Sequence, residues 1–301
     1  MISKRFVGGH RACAGCGLPM SVQQVLAATK EPVIVVSATG CLEICTTAFP
    51  ETSWQTPFIH SLFENTAAVA SGIEATLVAL QRKKKIKKLP KIVAFAGDGG
   101  TYDIGLQALS GAVERGHDFV FVCLDNEGYM NTGYQRSSAS PFQATTTTTP
   151  AGKSTPQKNI LKILAAHEIP YAAQSTVAHF ADLQAKATKA LQTPGPAFLN
   201  IFAPCPTNWK SPPALSLKIC RQAVETNFWP LVEFDQGKWR LNYQPKARAP
   251  LTTFLATQKR FTTVMRDAKM LEQFQRRVDE GFAELVALSA LKSQPAKKNQ
   301  K

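Results

Sequence analysis

The cysteines of this sequence are spaced in a way that suits a metal centre. Cys13 and Cys16 form a C-x-x-C pair in a glycine-containing segment, and Cys41 and Cys205 each lie just beyond a predicted apolar strand. Thiolates held in loops are ligands of zinc and of iron–sulfur clusters, so these four residues predict one of those two centres. Cys45, one helical turn beyond Cys41, is a weaker alternative ligand.

A second set of residues combines glycines with oxygen ligands. Asp98 follows the predicted buried strand at 91–96, and Asn126 follows the next buried strand at 119–124. A predicted helix joins the two strands, which makes them parallel and puts both loops at the carboxyl edge of the sheet. A carboxylate and an amide oxygen suit Mg²⁺, which usually keeps phosphate oxygens in its shell, so we predict a metal–diphosphate site. Three glycines let the backbone approach the diphosphate there, namely Gly97, Gly99 and Gly100.

The segment at 129–137 directly follows these ligands and carries many amide and hydroxyl groups. We predict that this segment faces the bound ligands, with Tyr129 and Met130 among the cofactor-binding residues. The alternative interpretation is a polar surface loop.

The composition excludes several classes of protein. Of the 301 residues, 44% are apolar and 19% are charged, which excludes wholesale disorder. No run of about 18 apolar residues predicts a membrane span. The amino terminus lacks the apolar run of a secretory signal, so we expect a cytoplasmic protein. In that compartment cysteines favour metal or redox chemistry over disulfides.

The charge is unevenly distributed along the chain. The formal net charge is +14, and seven of the ten residues at 82–91 are basic. An excess of this size suggests an acidic partner. The basic segment is therefore either a solvated loop or a docking patch for such a partner.

Strand and helix patterns alternate through the first two thirds of the chain, which predicts an α/β fold with a mainly parallel sheet flanked by helices. We expect residues 1–206 to form one α/β domain that holds the sites described above. Residues 207–301 read as a C-terminal extension that ends in a long helix at 262–291. The segment at 136–159 is rich in Ser, Thr and Pro, so it is either a linker or an ordered loop over the site.

Five motifs in a fixed order extend this interpretation. They are GHRACAGCG, TGC, GDGG-x-x-DIG, DNEGYMNTGYQRS and APCPTNW. Together they resemble the β subunits of the 2-oxoacid:ferredoxin oxidoreductases, those of pyruvate:ferredoxin oxidoreductase in particular, from about residue 8 to residue 290. The resemblance implies a thiamine diphosphate-binding fold that contains the diphosphate-binding module.

The resemblance also implies a role for each matching residue. Asp98 and Asn126 correspond to the side-chain ligands of Mg²⁺, and Gly128 corresponds to its backbone carbonyl ligand. Asn131 corresponds to a polar residue that faces the substrate. Residues matching the thiamine diphosphate surroundings include Gly40, Cys41, Gly97 and Gly99. The ligands of a [4Fe–4S] cluster correspond to Cys13, Cys16, Cys41 and Cys205.

The implied reaction is the oxidative decarboxylation of a 2-oxoacid to an acyl-coenzyme A and CO₂, with electrons passed through the [4Fe–4S] cluster to ferredoxin. Pyruvate is the expected substrate, and 2-oxoisovalerate is the alternative. An α subunit is expected to complete the active site, alongside γ and δ or ferredoxin-like subunits. We expect neither a nucleic-acid partner nor a membrane partner.

Two other function classes explain only part of the sequence. A non-redox thiamine diphosphate decarboxylase would need Asp98 and Asn126 but not four cysteines. A zinc-containing, basic nucleic-acid-binding protein would explain the charge and the C-x-x-C pair but not Asp98 with Asn126. Since ferredoxins are typically acidic, the basic segment at 82–91 is one hypothetical docking patch for ferredoxin.

Overall fold

An eight-stranded sheet forms the centre of the computed structural model, which describes residues 4–291. The strands are β1 (Val33–Ala38), β2 (Phe58–Ser61), β3 (Lys91–Gly97), β4 (Val120–Asp125), β5 (Tyr171–Thr176), β6 (Ala197–Phe202), β7 (Val232–Asp235) and β8 (Lys238–Leu241). The α-helices of the described residues are α1 (Leu18–Ala27), α2 (Cys41–Thr46), α3 (Thr66–Arg82), α4 (Leu106–Glu114), α5 (Ile160–Ala166), α6 (Phe180–Gln192), α7 (Pro206–Trp209), α8 (Ser216–Glu225), α9 (Leu251–Leu255), α10 (Thr262–Arg266) and α11 (Ala268–Ala290).

The sheet is mainly parallel. Its strands lie in the order β2-β1-β3-β4-β6-β5-β7-β8. The first six strands of that order are parallel to one another, whereas β7 is antiparallel to β5 and β8 is antiparallel to β7. Strands β4 and β6 are buried along their whole length, as expected for parallel strands covered by helices on both faces. The predicted α/β class is confirmed.

Two hydrophobic cores lie on opposite faces of the sheet. Successive residues of β3 point to opposite faces, so Val93 and Phe95 pack with α1 and α6, whereas Ala94 and Ala96 pack with α3, α4 and α5. Each large apolar side chain buried in this way contributes about 1.5–3 kcal/mol. The cores hold the strands in register and thereby fix where their loops leave the sheet.

The loops that follow β1, β3, β4 and β6 leave the sheet at the same edge because these strands are parallel. They carry four of the predicted site residues, Cys41, Asp98, Asn126 and Cys205. The basic segment at 82–91 lies at the opposite edge, where it joins α3 to the amino end of β3. The length of β3, roughly 20 Å, separates the two edges.

Several elements differ from the sequence-based prediction. The short edge strand β2 and the hairpin of β7 and β8 were not predicted, and that hairpin extends the sheet with residues from beyond position 206. The division of the chain at residue 206 stays a prediction. The terminal helical pattern breaks at Asp267, whose side chain accepts hydrogen bonds from the first backbone amides of α11. Among residues 4–291 no helix is long and apolar enough to cross a membrane.

Candidate active site

Three polar atoms from two loops converge at the carboxyl edge of the sheet. One polar atom of the Asn126 side-chain amide lies 3.0 Å from Oδ1 of Asp98 and 3.0 Å from the carbonyl oxygen of Gly128. If this atom is the amide nitrogen, it donates to both of those oxygens. If it is the amide oxygen, three oxygen atoms face one another. Neighbouring ligands of an octahedral Mg²⁺ ion, each at about 2.1 Å, are themselves about 3.0 Å apart. The oxygen-inward orientation is therefore the one that a cation would stabilise.

The carboxyl group of Asp98 is fully buried and fixed in place. It accepts hydrogen bonds from the Ser137 hydroxyl and, at 3.3 Å, from the backbone N–H of Asn126. Burial raises the pKa of Asp98 to about 7, and the negative charge of Glu127 acts in the same direction. Burial and the charge of Asp98 also raise the pKa of Asp125. A nearby cation would therefore stabilise the charged form of this buried carboxyl group more than that of a solvent-exposed one.

A cavity opens beside these atoms. A Cβ atom at Gly99 would lie 2.4 Å from Cε1 of Tyr129, so glycine is what lets this ring pack there. The Tyr129 hydroxyl donates to Asp103 at 3.0 Å, and its ring stacks on Phe63. Gly100 faces the Phe63 carbonyl and does not line the cavity. The predicted residues that do line it are Gly40, Cys41, Gly97, Asp98, Gly99, Asn126, Gly128, Tyr129, Met130 and Asn131.

The segment at 129–137 divides into an exposed part and a buried part. Asn131 is exposed and lines the cavity, where a substrate can reach it. Ser137 is fully buried and donates to Asp98, a role that sequence reasoning missed. The residue is 39 positions away from Asp98, and its only signal was its place at the end of the motif after Asn126. Ser140 and Gln157 also donate to Glu127, so the segment at 136–159 packs against the site as an ordered loop and is not a linker.

Backbone contacts hold the C-x-x-C loop against the loop that carries Cys205. The N–H of Gly17 donates to the carbonyl of Pro204 at 3.2 Å. A Cβ at Gly17 would lie 2.6 Å from Cδ of Pro204, so this close approach requires glycine. The loop itself turns through Gly15 at a φ of 73°, a conformation that glycine adopts without strain. Two of the predicted cysteine loops therefore meet.

The thiols of the predicted centre are close enough to act on one another electrostatically. Burial raises the pKa of Cys16 and of Cys41 to about 12, and the charge of Cys205 is the largest contribution from another thiol to each. Cys45 and the exposed Cys13 act in the same direction. Within residues 4–291 no three His, Cys, Asp or Glu side chains form a group arranged to hold a metal ion.

Comparison with known proteins identifies the family. The sequence profile described as "Thiamine pyrophosphate enzyme, C-terminal TPP binding domain" matches residues 38–201, a span that contains Asp98, Asn126 and Gly128. The chain belongs to the thiamine pyrophosphate enzymes. The predicted fold and the thiamine diphosphate cofactor are thereby confirmed.

Among these enzymes the chain belongs with the PorB and VorB subunits. It is 47% identical to subunit PorB of pyruvate synthase from Methanocaldococcus jannaschii, over 91% of this chain and 94% of that subunit. It is 46% identical to subunit VorB of ketoisovalerate oxidoreductase from Pyrococcus horikoshii, over 86% of this chain and 85% of that subunit. The predicted resemblance is confirmed.

A solved structure supports the same fold. A chain of the 2-oxoglutarate:ferredoxin oxidoreductase from Magnetococcus marinus superposes with a TM-score of 0.58 at 22% identity. The match covers 73% of this chain and 80% of that chain.

Proposed function

We propose that this chain is the thiamine diphosphate-binding β subunit of a pyruvate:ferredoxin oxidoreductase. The observation that carries the proposal is the meeting of two unlike sites at one edge of the sheet. A cavity with convergent oxygen atoms lies beside thiols that act on one another electrostatically, and Cys41 belongs to both. A decarboxylase without a redox step does not require the thiols. A zinc-containing nucleic-acid-binding protein does not require the convergent oxygen atoms.

Asp98, Asn126 and Gly128 would hold Mg²⁺, which in turn would hold the diphosphate. The fit rests on the 3.0 Å spacing of their polar atoms and on the raised pKa of the buried Asp98 carboxyl. Ser137 orients Asp98 by its hydrogen bond, and Gly99 keeps the cavity open beside Tyr129. Thiamine diphosphate, when bound, supplies an electron sink for the decarboxylation of a 2-oxoacid.

Cys13, Cys16, Cys41 and Cys205 would hold a [4Fe–4S] cluster. All the donors are thiols, as such clusters require, and glycines at 15 and 17 let the loops approach each other. When bound, the cluster supplies a one-electron acceptor next to the cofactor cavity. Cys45 is the alternative ligand because its charge also acts on Cys16 and Cys41.

The remaining groups on the cavity wall determine what can reach the cofactor. Asn131 offers an exposed amide that can donate to the carboxylate or 2-oxo oxygen of a substrate. We propose that an α subunit covers this open side and completes the active site, and that coenzyme A and ferredoxin are the other reactants. We also propose a cytoplasmic location, in keeping with thiols that are all free among the described residues.

The basic segment at 82–91 has no part in this proposal. Its position at the amino edge of the sheet puts it roughly 20 Å from the thiols along β3. The hypothesis that it docks ferredoxin therefore places that partner on the wrong side of the sheet for electron transfer from this site.

The test is a substrate comparison on the assembled enzyme. The chain is co-produced with its partner subunits without oxygen, and coenzyme A-dependent reduction of ferredoxin is measured with pyruvate and with 2-oxoisovalerate. We expect pyruvate to give the higher kcat/KM. A preference for 2-oxoisovalerate would instead support the alternative that VorB, at 46% identity, represents. No reduction with any 2-oxoacid would refute the proposal.

A further inference from the structure

A buried arginine outside the predicted motifs lies between the two halves of the site. Arg260, in a short turn after α9, has a side chain that is 1% exposed. Its guanidinium forms an ion pair with Glu127, whose side chain is 0% exposed, and lies 3.8 Å from the ring centre of Trp209. Removing two charged groups from water costs free energy that only a well-aligned ion pair offsets. A pair buried as deeply as Arg260 and Glu127 is therefore a candidate for a functional role.

Arg260 contacts one residue from each of two functional loops. Glu127 lies between Asn126 and Gly128, the predicted Mg²⁺ ligands. Trp209 lies four residues after Cys205, and its ring N–H donates to the carbonyl of Asn126 at 3.0 Å. Arg260 therefore fastens the 205–209 loop to the 126–128 loop through contacts on both sides.

A second contact between these loops involves Asn208. Its side-chain amide donates to the carbonyl of Met130 at 3.0 Å and lies 3.7 Å from Sγ of Cys205, with N–H groups directed at the sulfur. The amide thus links the segment after the Mg²⁺ loop to the thiol. It also supplies a hydrogen bond of the kind that tunes the potential of an iron–sulfur cluster.

Two buried polar groups make no hydrogen bond of normal length and angle within residues 4–291, although they are close enough to interact with each other. They are Nη1 of Arg260 and the hydroxyl of Tyr134. Burial raises the pKa of the Cys205 thiol and of the Tyr134 hydroxyl. The charge of Arg260 opposes this increase at both groups, whereas the charge of Cys205 adds to it at Tyr134. When the Tyr134 oxygen accepts from Arg260, the O–H of Tyr134 is left for a further acceptor.

We propose that Arg260 is a positioning residue that joins the Mg²⁺ loop to the Cys205 loop and that, with Tyr134 and Asn208, surrounds the Cys205 sulfur with positive charge and hydrogen-bond donors. The inference rests on the proposed function, because the group that these donors would face is a [4Fe–4S] cluster. A cluster held there would gain one negative charge with the electron that it accepts from oxidation of the 2-oxoacid, and no bond would form or break. Arg260 and the donors would stabilise that reduced state and so raise the cluster potential.

The test is a redox titration of the assembled enzyme, monitored by the electron paramagnetic resonance signal of the reduced cluster. We expect Arg260→Gln to lower the midpoint potential by at least a tenfold change in the one-electron equilibrium, about 59 mV. Arg260→Lys keeps the charge, so it should restore most of that potential. The matched control is Arg240→Gln. It removes a cation on β8 that pairs with Glu233 and Asp235 on β7, and it should leave the potential unchanged.

Arg260→Gln leaves the charge of Glu127 buried without its ion-pair partner, and the enzyme can then fail to fold. Two further variants test the inference in that case. Arg260→Gln with Glu127→Gln removes both charges of the ion pair, and we expect a smaller fall in potential because the loss of the negative charge of Glu127 partly offsets the loss of the positive charge of Arg260. Tyr134→Phe removes the hydroxyl and keeps the ring, so we expect a fall in potential in an enzyme that still folds. Unchanged potentials in these folded variants, each with wild-type iron content, would overturn the inference. A wild-type enzyme without iron and sulfide would overturn the proposed function itself.

Discussion

Replacing Asp98 with Asn should affect stability and cofactor binding in opposite directions. The carboxyl is fully buried, and its counter-charge would be the Mg²⁺ ion. An amide at this position has the shape of the carboxyl group and carries no charge, and its oxygen can still accept from the backbone N–H of Asn126. We therefore expect Asp98→Asn to stabilise the cofactor-free chain and to abolish tight binding of thiamine diphosphate with Mg²⁺.

The pKa of Asp98 sets the size of the stability effect. Burial raises it from 3.8 to about 7, so the folded state disfavours the charged form. The unfolded chain therefore loses its proton at lower pH, and the cofactor-free protein loses stability as pH rises from about 4 to about 7. A change in pKa from 3.8 to about 7 corresponds to a free energy of at most about 4 kcal/mol. Asp98→Asn should recover up to that amount at pH 8 and nothing near pH 4.

Urea unfolding of the cofactor-free full chain at the two pH values measures this gain, and calorimetry on the assembled enzyme measures cofactor binding. The loss of affinity should exceed the roughly 10–100-fold that changes outside the direct metal ligands produce. Asp103→Asn is the matched control, because Asp103 accepts hydrogen bonds from Tyr129 and the Ser138 backbone, so its replacement should destabilise the chain. Lower stability of Asp98→Asn at pH 8, or wild-type affinity for the cofactor, would refute the reasoning.

Three further predictions concern the other parts of the site. Gly99→Ala should displace the Tyr129 ring and lower the affinity for thiamine diphosphate at least tenfold, since the added Cβ would lie 2.4 Å from that ring; calorimetry checks this, and unchanged affinity would contradict it. Cys205→Ser should lower the iron and sulfide content of the purified enzyme, whereas Cys45→Ser should keep it, and the reverse result would exchange the two ligands. Neutralising the lysines at 82–91 should leave the rate of ferredoxin reduction and its salt dependence unchanged, because they lie at the far edge of the sheet; a loss of salt dependence would restore the docking hypothesis.

The parts of the fold that were predictable from sequence are those with a strong local signal. The strands around Asp98 and Asn126 are continuous apolar runs, and the parallel rule then places both loops at one edge. Strand β2 and the β7–β8 hairpin have four residues per strand and sit at the ends of the sheet, where alternation is too brief to read. Their formation depends on pairing with neighbours that are distant in sequence.

The site shows the same division. Asp98, Asn126 and the cysteines stand in motifs, so their chemistry can be read from the chain itself. Ser137 lies 39 positions after Asp98, and Arg260 lies 133 positions after Glu127. Neither separation is one that a known type of ligand-binding motif requires. Their roles arise from tertiary packing, which places a hydroxyl and a guanidinium against groups that need them.

The proposal that the thiols hold a [4Fe–4S] cluster beside the cofactor cavity is tested most directly by metal analysis. The iron, acid-labile sulfide and zinc contents are measured on the full chain purified without oxygen, under conditions that allow cluster assembly. We expect about four irons and four sulfides per chain, as a [4Fe–4S] cluster held by four thiolates contains. One zinc without sulfide would contradict it, because the thiols would then form a structural metal site and the chain would hold no electron acceptor beside the cofactor.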